Sequence, residues 1–108
     1  MGLTAVTSGT QAATLSTEHS LTQQTGIGIY VLEVDASAME AGDTLVLRLK
    51  TKVLSGGASK ITQEATLSGA QAVPHWRSEA IPVDVEIIAT LLQSVGTGRS
   101  YPWKLLRA

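Results

Sequence analysis

The segment "DTLVLRLKTKVL", from Asp43 to Leu54, alternates two kinds of side chain along its whole length. This strict alternation is typical of a β-strand that buries one face and leaves the other accessible. It therefore predicts an antiparallel sheet with one side packed on a core. One face holds Leu45, Leu47, Leu49, Thr51 and Val53, and the other holds Val46, Arg48, Lys50 and Lys52.

Other segments repeat the period of two. Residues 29–35 place Tyr30, Leu32 and Val34 on one face, and residues 83–95 and 59–69 alternate in the same way. An edge strand in "ATLSTEHSLT" and a C-terminal strand in "RSYPWKLL" complete the set. A chain of 108 residues is one domain by size. We predict an all-β fold, a single antiparallel β-sandwich of about seven or eight strands with jelly-roll-like or Greek-key connections.

The connections also carry local signals. Ser37 and Glu40 have capping-box spacing and Gly42 follows, which predicts one short helical turn near 37–41, on a crossover between two sheets. Gly56-Gly57 indicates a hairpin, and residues 68–82 are expected to form a long surface loop. Gly96-Thr97-Gly98 is interpreted as a hairpin turn, because a phosphate-binding loop would need a helix after its glycines and a strand pattern follows instead.

The N-terminal stretch is polar and almost free of charge. We expect residues 1–12 to be a flexible arm that becomes ordered on a partner, and residues 13–108 to be the β-sandwich domain. Removal of the arm should then leave the thermal stability unchanged.

Composition argues against several kinds of partner. The formal net charge is −1 and only 16% of residues are charged, so we expect no nucleic-acid binding, which requires clustered Lys and Arg. No apolar run approaches the roughly 20 residues of a membrane span, so we expect no membrane partner. The chain has no cysteine, which removes thiolate chemistry and cysteine-based zinc sites.

No constellation of catalytic residues stands out. Glu33 with Asp35 and Asp84 with Glu86 are carboxylate pairs, but we place them on outward strand faces where pairing with lysines is the simpler interpretation. The two histidines accompany no Gly-x-Ser-x-Gly nucleophile elbow. We therefore predict no catalytic residue, no metal ligand and no cofactor.

Two groups of residues are candidate partner contacts. "PHWRSE" offers His75, Trp76 and Arg77, and tryptophan and arginine are enriched at interface hot spots. Trp76 could equally fold back as a lid on the sandwich. The second group is the basic stripe Arg48, Lys50 and Lys52, for which a solvated strand face is the alternative.

The order of these parts resembles small virion structural proteins of tailed phages and gene-transfer particles, of the capsid decoration, cement or head-spike-base type. The residues that carry the resemblance are Gly28-Ile29-Tyr30, Val34-Asp35, Met39, Gly42-Asp43, Leu47-Arg48 and Lys50-Thr51-Lys52, followed by Leu91, Gln93, Gly96-Thr97-Gly98-Arg99, Pro102-Trp103 and Leu106-Arg107. They are turn and strand signatures over residues 15–108, and none is tied to a functional site.

The resemblance implies a protein that binds the major capsid protein, and other virion proteins, on the capsid exterior, after assembly in the host cytoplasm. Low charge is compatible with a homo-oligomer, and a trimer would suit a threefold lattice position. Alternatives are the base of a head spike, a head-tail component or a tail component. From another class, the domain could be a carbohydrate-binding module, with Trp76 and Trp103 exposed on one platform.

Overall fold

The computed structural model describes residues 2–108, which form nine strands and no helix. The strands are β1 (Thr4–Ala12), β2 (Glu18–Gln24), β3 (Gly28–Asp35), β4 (Thr44–Thr51), β5 (Lys60–Ser68), β6 (His75–Arg77), β7 (Ile81–Val83), β8 (Ile87–Val95) and β9 (Ser100–Arg107). Within these residues there is no helix long and apolar enough to cross a membrane.

The strands form two antiparallel sheets packed together, as the sequence predicts. Sheet A has the order β1-β9-β3-β6, with β7 also paired to β3, and sheet B has the order β2-β8-β4-β5. The short strands β6 and β7 pair with opposite ends of β3, so they act as one interrupted strand. Counted in that way, the eight strands have the jelly-roll order, in which every pair of consecutive strands except β4 and β5 lies in different sheets.

The core lies between the sheets and follows the predicted alternation. β3 buries Tyr30, Leu32 and Val34, β4 buries its leucines, and β8 and β9 contribute residues in the same period of two. The side chains that are almost inaccessible to solvent include Leu45, Leu47, Leu49, Ile87, Ala89, Leu91, Tyr101 and Leu105. A hairpin between β4 and β5, at the predicted Gly56-Gly57, and a crossover from β3 in sheet A to β4 in sheet B are also confirmed.

The predicted arm over residues 1–12 is different in the structure. Thr4–Ala12 is the edge strand β1, which pairs with β9 from Thr4 opposite Arg107 to Ala12 opposite Ser100. Met1 lies outside the described residues. The sandwich therefore begins before residue 13, because the Thr-rich stretch finds an open edge of β9 to pair with.

The helical turn predicted near 37–41 is wrong. Two consecutive turns replace it, closed by the Met39 N–H on the Ala36 carbonyl and by the Asp43 N–H on the Glu40 carbonyl, both at 3.1 Å. The capping box does not form because the backbone N–H groups of Ser37 and Glu40 donate to other side chains. Asp35 accepts from the Ser37 N–H and Asp43 accepts from the Glu40 N–H.

Two other segments need correction. The expected loop over 68–82 contains β6 and the start of β7, and the single strand predicted over 83–95 is broken between β7 and β8, which belong to different sheets. The glycine turn at 96–98 has the left-handed conformation at Gly96, with φ of 98°, but it is not a hairpin. It leads from β8 in sheet B to β9 in sheet A.

Candidate functional site

The "PHWRSE" segment forms β6 at the edge of sheet A, where it pairs with the end of β3. His75 is opposite Asp35, Trp76 is opposite Val34, and Arg77 is opposite Glu33. Because side chains alternate along a strand, His75 and Arg77 point outward while Trp76 points toward the core. The structure therefore separates the three candidate contacts into two roles.

Glu33 is the centre of an ionic cluster on the outer face of sheet A. Its carboxylate accepts from Arg77 at 2.6 Å (Nη2) and 2.7 Å (Nε), and it lies 3.3 Å from His75 Nε2 and 3.4 Å from Lys104 Nζ. The Glu33 side chain is only 8% exposed, whereas His75, Arg77 and Lys104 are 60%, 63% and 47% exposed. Burial raises the pKa of Glu33, but the bonds from Arg77 and Lys104 outweigh it and hold the pKa below its ordinary value.

A shallow cleft of about 350 Å³ opens beside this cluster. Its lining includes Glu33, Asp35, His75, Pro102 and Lys104. Asp35 is fixed by Ser37, whose hydroxyl and backbone N–H both donate to it and lower its pKa. The lining of the cleft thus combines two hydrogen-bonded acids with the exposed side chains of His75 and Lys104.

Trp76 and Trp103 lie on either side of Val34, on the inner face of sheet A. Both indoles are partly buried and pack against the core. Trp103 also lies over Gly9 of β1, where an added Cβ would approach the ring to 3.3 Å. The exposed two-tryptophan platform that a carbohydrate-binding module would need is therefore not formed, and Trp76 acts as a lid.

The basic stripe on β4 is paired within its own sheet. Arg48 binds Glu64 at 2.6 Å and Glu18 at 3.4 Å, and Lys50 binds Glu18 at 3.0 Å. Lys52 binds the nearly inaccessible Glu86 at 2.6 Å. Three acids, from β2, β5 and the β7–β8 connection, thus offset the three cations of the stripe.

Hydrogen bonds reinforce this network across sheet B. The Thr90 hydroxyl donates to Glu18 at 2.6 Å and, together with Lys50, lowers the pKa of Glu18. Lys52, followed by the amide of Gln23, lowers the pKa of Glu86. The carboxylates therefore stay ionised, and the stripe offers little unmatched charge to an external anion.

A third cluster, which the sequence interpretation missed, closes one end of the sandwich. Asp43 is 1% exposed and accepts from Arg99 Nε at 2.8 Å, from the Glu40 N–H at 2.9 Å and from the Thr97 N–H at 3.1 Å. The Glu40 amide and the Arg99 side chain are the main causes of its lowered pKa. We call Asp43, Gln93, Gly96, Thr97 and Arg99 the loop latch.

Gln93 is the second buried member of the loop latch. Its amide donates to the Thr97 carbonyl at 2.6 Å, and its oxygen accepts from the Tyr101 hydroxyl at 2.9 Å and from the Arg99 N–H at 3.2 Å. A Gln among alternating apolar residues of β8, placed just before a Gly-Thr-Gly-Arg turn, was the available sequence signal. The partner Asp43 is distant in the chain and could not be inferred.

The arrangement of the described residues includes no group of three or more His, Cys, Asp or Glu side chains that could hold a metal ion. Comparison of the chain with known protein families, curated proteins and solved structures gave no match. The candidate site is therefore the Glu33 cluster with its cleft, defined by geometry alone.

Proposed function

We propose that the protein is a phage virion structural protein of the capsid decoration type, which attaches to the outer surface of the major capsid protein lattice and stabilises the head. The resemblance described from the sequence suggests this role. The alternatives within the virion are the base of a head spike and a head-tail or tail component.

The first support is the place of the resemblance residues in the fold. All five residues of the loop latch are among them, and Trp103 packs on Gly9 between β1 and the core. The residues that carry the resemblance thus make contacts that hold the loops and the edge strand of this sandwich in place. The jelly-roll strand order, which also occurs in viral capsid domains, is a supporting analogy.

The observation that carries the docking surface is the contrast between the two outer faces. On sheet B the cations are about one-quarter exposed and matched by acids, whereas on sheet A His75, Arg77 and Lys104 are mostly or half exposed around a single buried acid, Glu33. The exposed Arg77 and Lys104 cations, with Lys104 lining the cleft, suit an acidic or carbonyl-rich segment of a capsid subunit.

Stabilisation would follow from burial of this face across neighbouring capsid subunits. Separation of those subunits would then require the buried contact surface to be exposed again. Because many copies bind one lattice, each contact needs only modest affinity.

The test is cosedimentation of the purified protein with capsids that lack it, with the number of bound copies counted per particle. Saturation at a lattice-wide copy number supports a decoration protein. A dozen copies or fewer indicates a vertex or tail position, and no binding at all contradicts the proposal.

A variant pair tests the surface itself. We expect His75→Asn combined with Lys104→Gln to weaken capsid binding about tenfold or more, as for the loss of charge-assisted contacts. Lys60→Gln removes a positive charge from an exposed position on β5 and should bind as the wild type does. Equal binding by all three proteins would move the docking surface elsewhere on the molecule.

A further inference from the structure

The edge strand β1 is unusual in its chemistry. From Gly2 to Thr17 the sequence contains neither a charged residue nor a proline. β1 itself consists of Thr, Ser, Gly, Ala, Val and Gln, and most of its side chains are exposed. One side of its backbone pairs with β9, and it is the last strand of sheet A on that side.

The other sheet edges are guarded in the ways that natural proteins use to prevent edge-to-edge pairing. β2 begins with Glu18 and His19. β5 carries Lys60 and Glu64, and its register shifts between the partners of Leu49 and Lys50. The remaining edge consists of two strands of three residues each, β6 with its His and Arg and β7 with Pro82.

The backbone of β1 pairs regularly with β9 over most of its length. Its irregularity lies near the start, where the register shifts between Ala5 and Thr7. From Thr7 to Ala12 the pairing with β9 is continuous, so the opposite side presents an unbroken row of N–H and C=O groups. Such a row is a template for another extended strand.

We propose that β1 pairs with β1 of a second copy of this chain, in antiparallel orientation, so that the two A sheets become one continuous sheet across a twofold axis. A strand that pairs here must bring no unmatched charge, because β1 has none to offer. The β1 sequence meets that requirement, and a twofold contact sets the same surface against itself.

The faces of β1 agree with this pairing. Ser8 and Thr10 lie opposite Lys104 and Pro102 on the outer face, while Gly9 lies under Trp103 on the inner face. An antiparallel pairing that keeps the outer faces continuous can be centred on Ser8, on Gly9 or on Thr10. In each of these registers, Ser8 or Thr10 of one copy lies opposite Ser8 or Thr10 of the other. Pairs of small hydroxyl residues are favourable cross-strand neighbours.

The experiment is sedimentation equilibrium of the full chain at increasing concentration. The wild type should approach twice the monomer mass of 11.3 kDa. Ser8→Glu combined with Thr10→Glu should raise the dimer dissociation constant about 100-fold or more, because every register described above then opposes like charges. The fold should tolerate the change, since both positions are exposed and Ser8 faces Lys104.

The matched control is Thr66→Glu combined with Ser68→Glu, which adds the same charge at the same spacing on exposed positions of the β5 edge. It should dimerise as the wild type does, and thermal melts should show that both variants are folded. A wild type that remains monomeric to about 1 mM, a trimer, or equal weakening by both variant pairs would overturn the proposal.

Discussion

Asp43 and Arg99 meet at an Nε–Oδ2 distance of 2.8 Å, although they belong to connections far apart in the sequence. Asp43 precedes β4 and Arg99 precedes β9, so the pair joins a connection between the sheets to a second one. The backbone carbonyl of Asp43 also accepts from the Gly69 N–H at 2.8 Å, which brings in the connection after β5. One residue thereby orders three loops at the same end of the sandwich.

Asp43→Asn should lower the free energy of unfolding at neutral pH and make its loss in acid less steep. The folded state holds the pKa of Asp43 below its ordinary value of 3.8, so its contribution is present above that pH and is lost as the pH falls through the lower folded value. Urea unfolding at pH 7 and at several acidic pH values measures both effects.

Asp84→Asn is the control for that experiment, because Asp84 is exposed in the β7–β8 connection. It should unfold at the wild-type urea midpoint at pH 7, because its side chain is exposed. The interpretation of the loop latch would be contradicted by identical acid profiles for Asp43→Asn and the wild type.

Gly96→Ala should destabilise the protein by about 2–5 kcal/mol. The residue has a φ of 98°, which costs a non-glycine residue about 1–3 kcal/mol, and an added Cβ would lie 2.0 Å from Asp43 Oδ1. Gly56→Ala has open space around it and should change stability by less than about 0.5 kcal/mol. Similar unfolding midpoints for the two variants would show that the turn tolerates a side chain.

The parts of the fold that follow from local alternation could be predicted from the sequence. The buried residues of β3 and the buried leucines of β4 are predicted correctly because a one-residue slip would expose every leucine. Val53, which the alternation assigns to the same face, lies beyond the end of β4 and is 86% exposed. The break between β7 and β8 could not be predicted. Val83, Val85 and Ile87 keep one period across Asp84 and Glu86, whereas the chain there leaves sheet A for sheet B.

The candidate site shows the same limit. The exposure of Arg77 and the pairing of the β4 cations with acids are consistent with outward strand faces, which the period of two indicates. Three side chains, those of His75, Arg77 and Lys104, contact Glu33 because β6 and β9 lie on either side of β3. Such neighbours are set by strand order, and strand order depends on contacts distant in the sequence.

Deletion of residues 2–12 should lower the free energy of unfolding by roughly 2–5 kcal/mol, in contrast to the expectation for a free arm. The deletion removes the ladder between β1 and β9, in which each hydrogen bond contributes about 0.5–1.5 kcal/mol net. It also exposes the part of the Trp103 ring that packs on Gly9. Deletion of Gly2 and Leu3 alone, which precede the strand, is the control. Equal urea midpoints for the two deletions would restore the arm interpretation.

Tyr101 should resist ionisation in alkali, and its ionisation should destabilise the folded protein. Burial, and then the charge of Asp43, raises the pKa of Tyr101 to about 12 from an ordinary value of 10.0. The folded state therefore holds this proton more tightly than the unfolded chain, so stability is intact below pH 10 and falls as the pH rises toward 12. Tyr101→Phe should remove that fall while costing about 0.5–1.5 kcal/mol at neutral pH, since Gln93 loses one donor but keeps the Arg99 N–H. Tyrosinate absorbance measures the ionisation of Tyr101, and urea midpoints between pH 9 and 12 measure the stability. An unaltered alkaline stability profile in Tyr101→Phe would assign the loss of stability to another group.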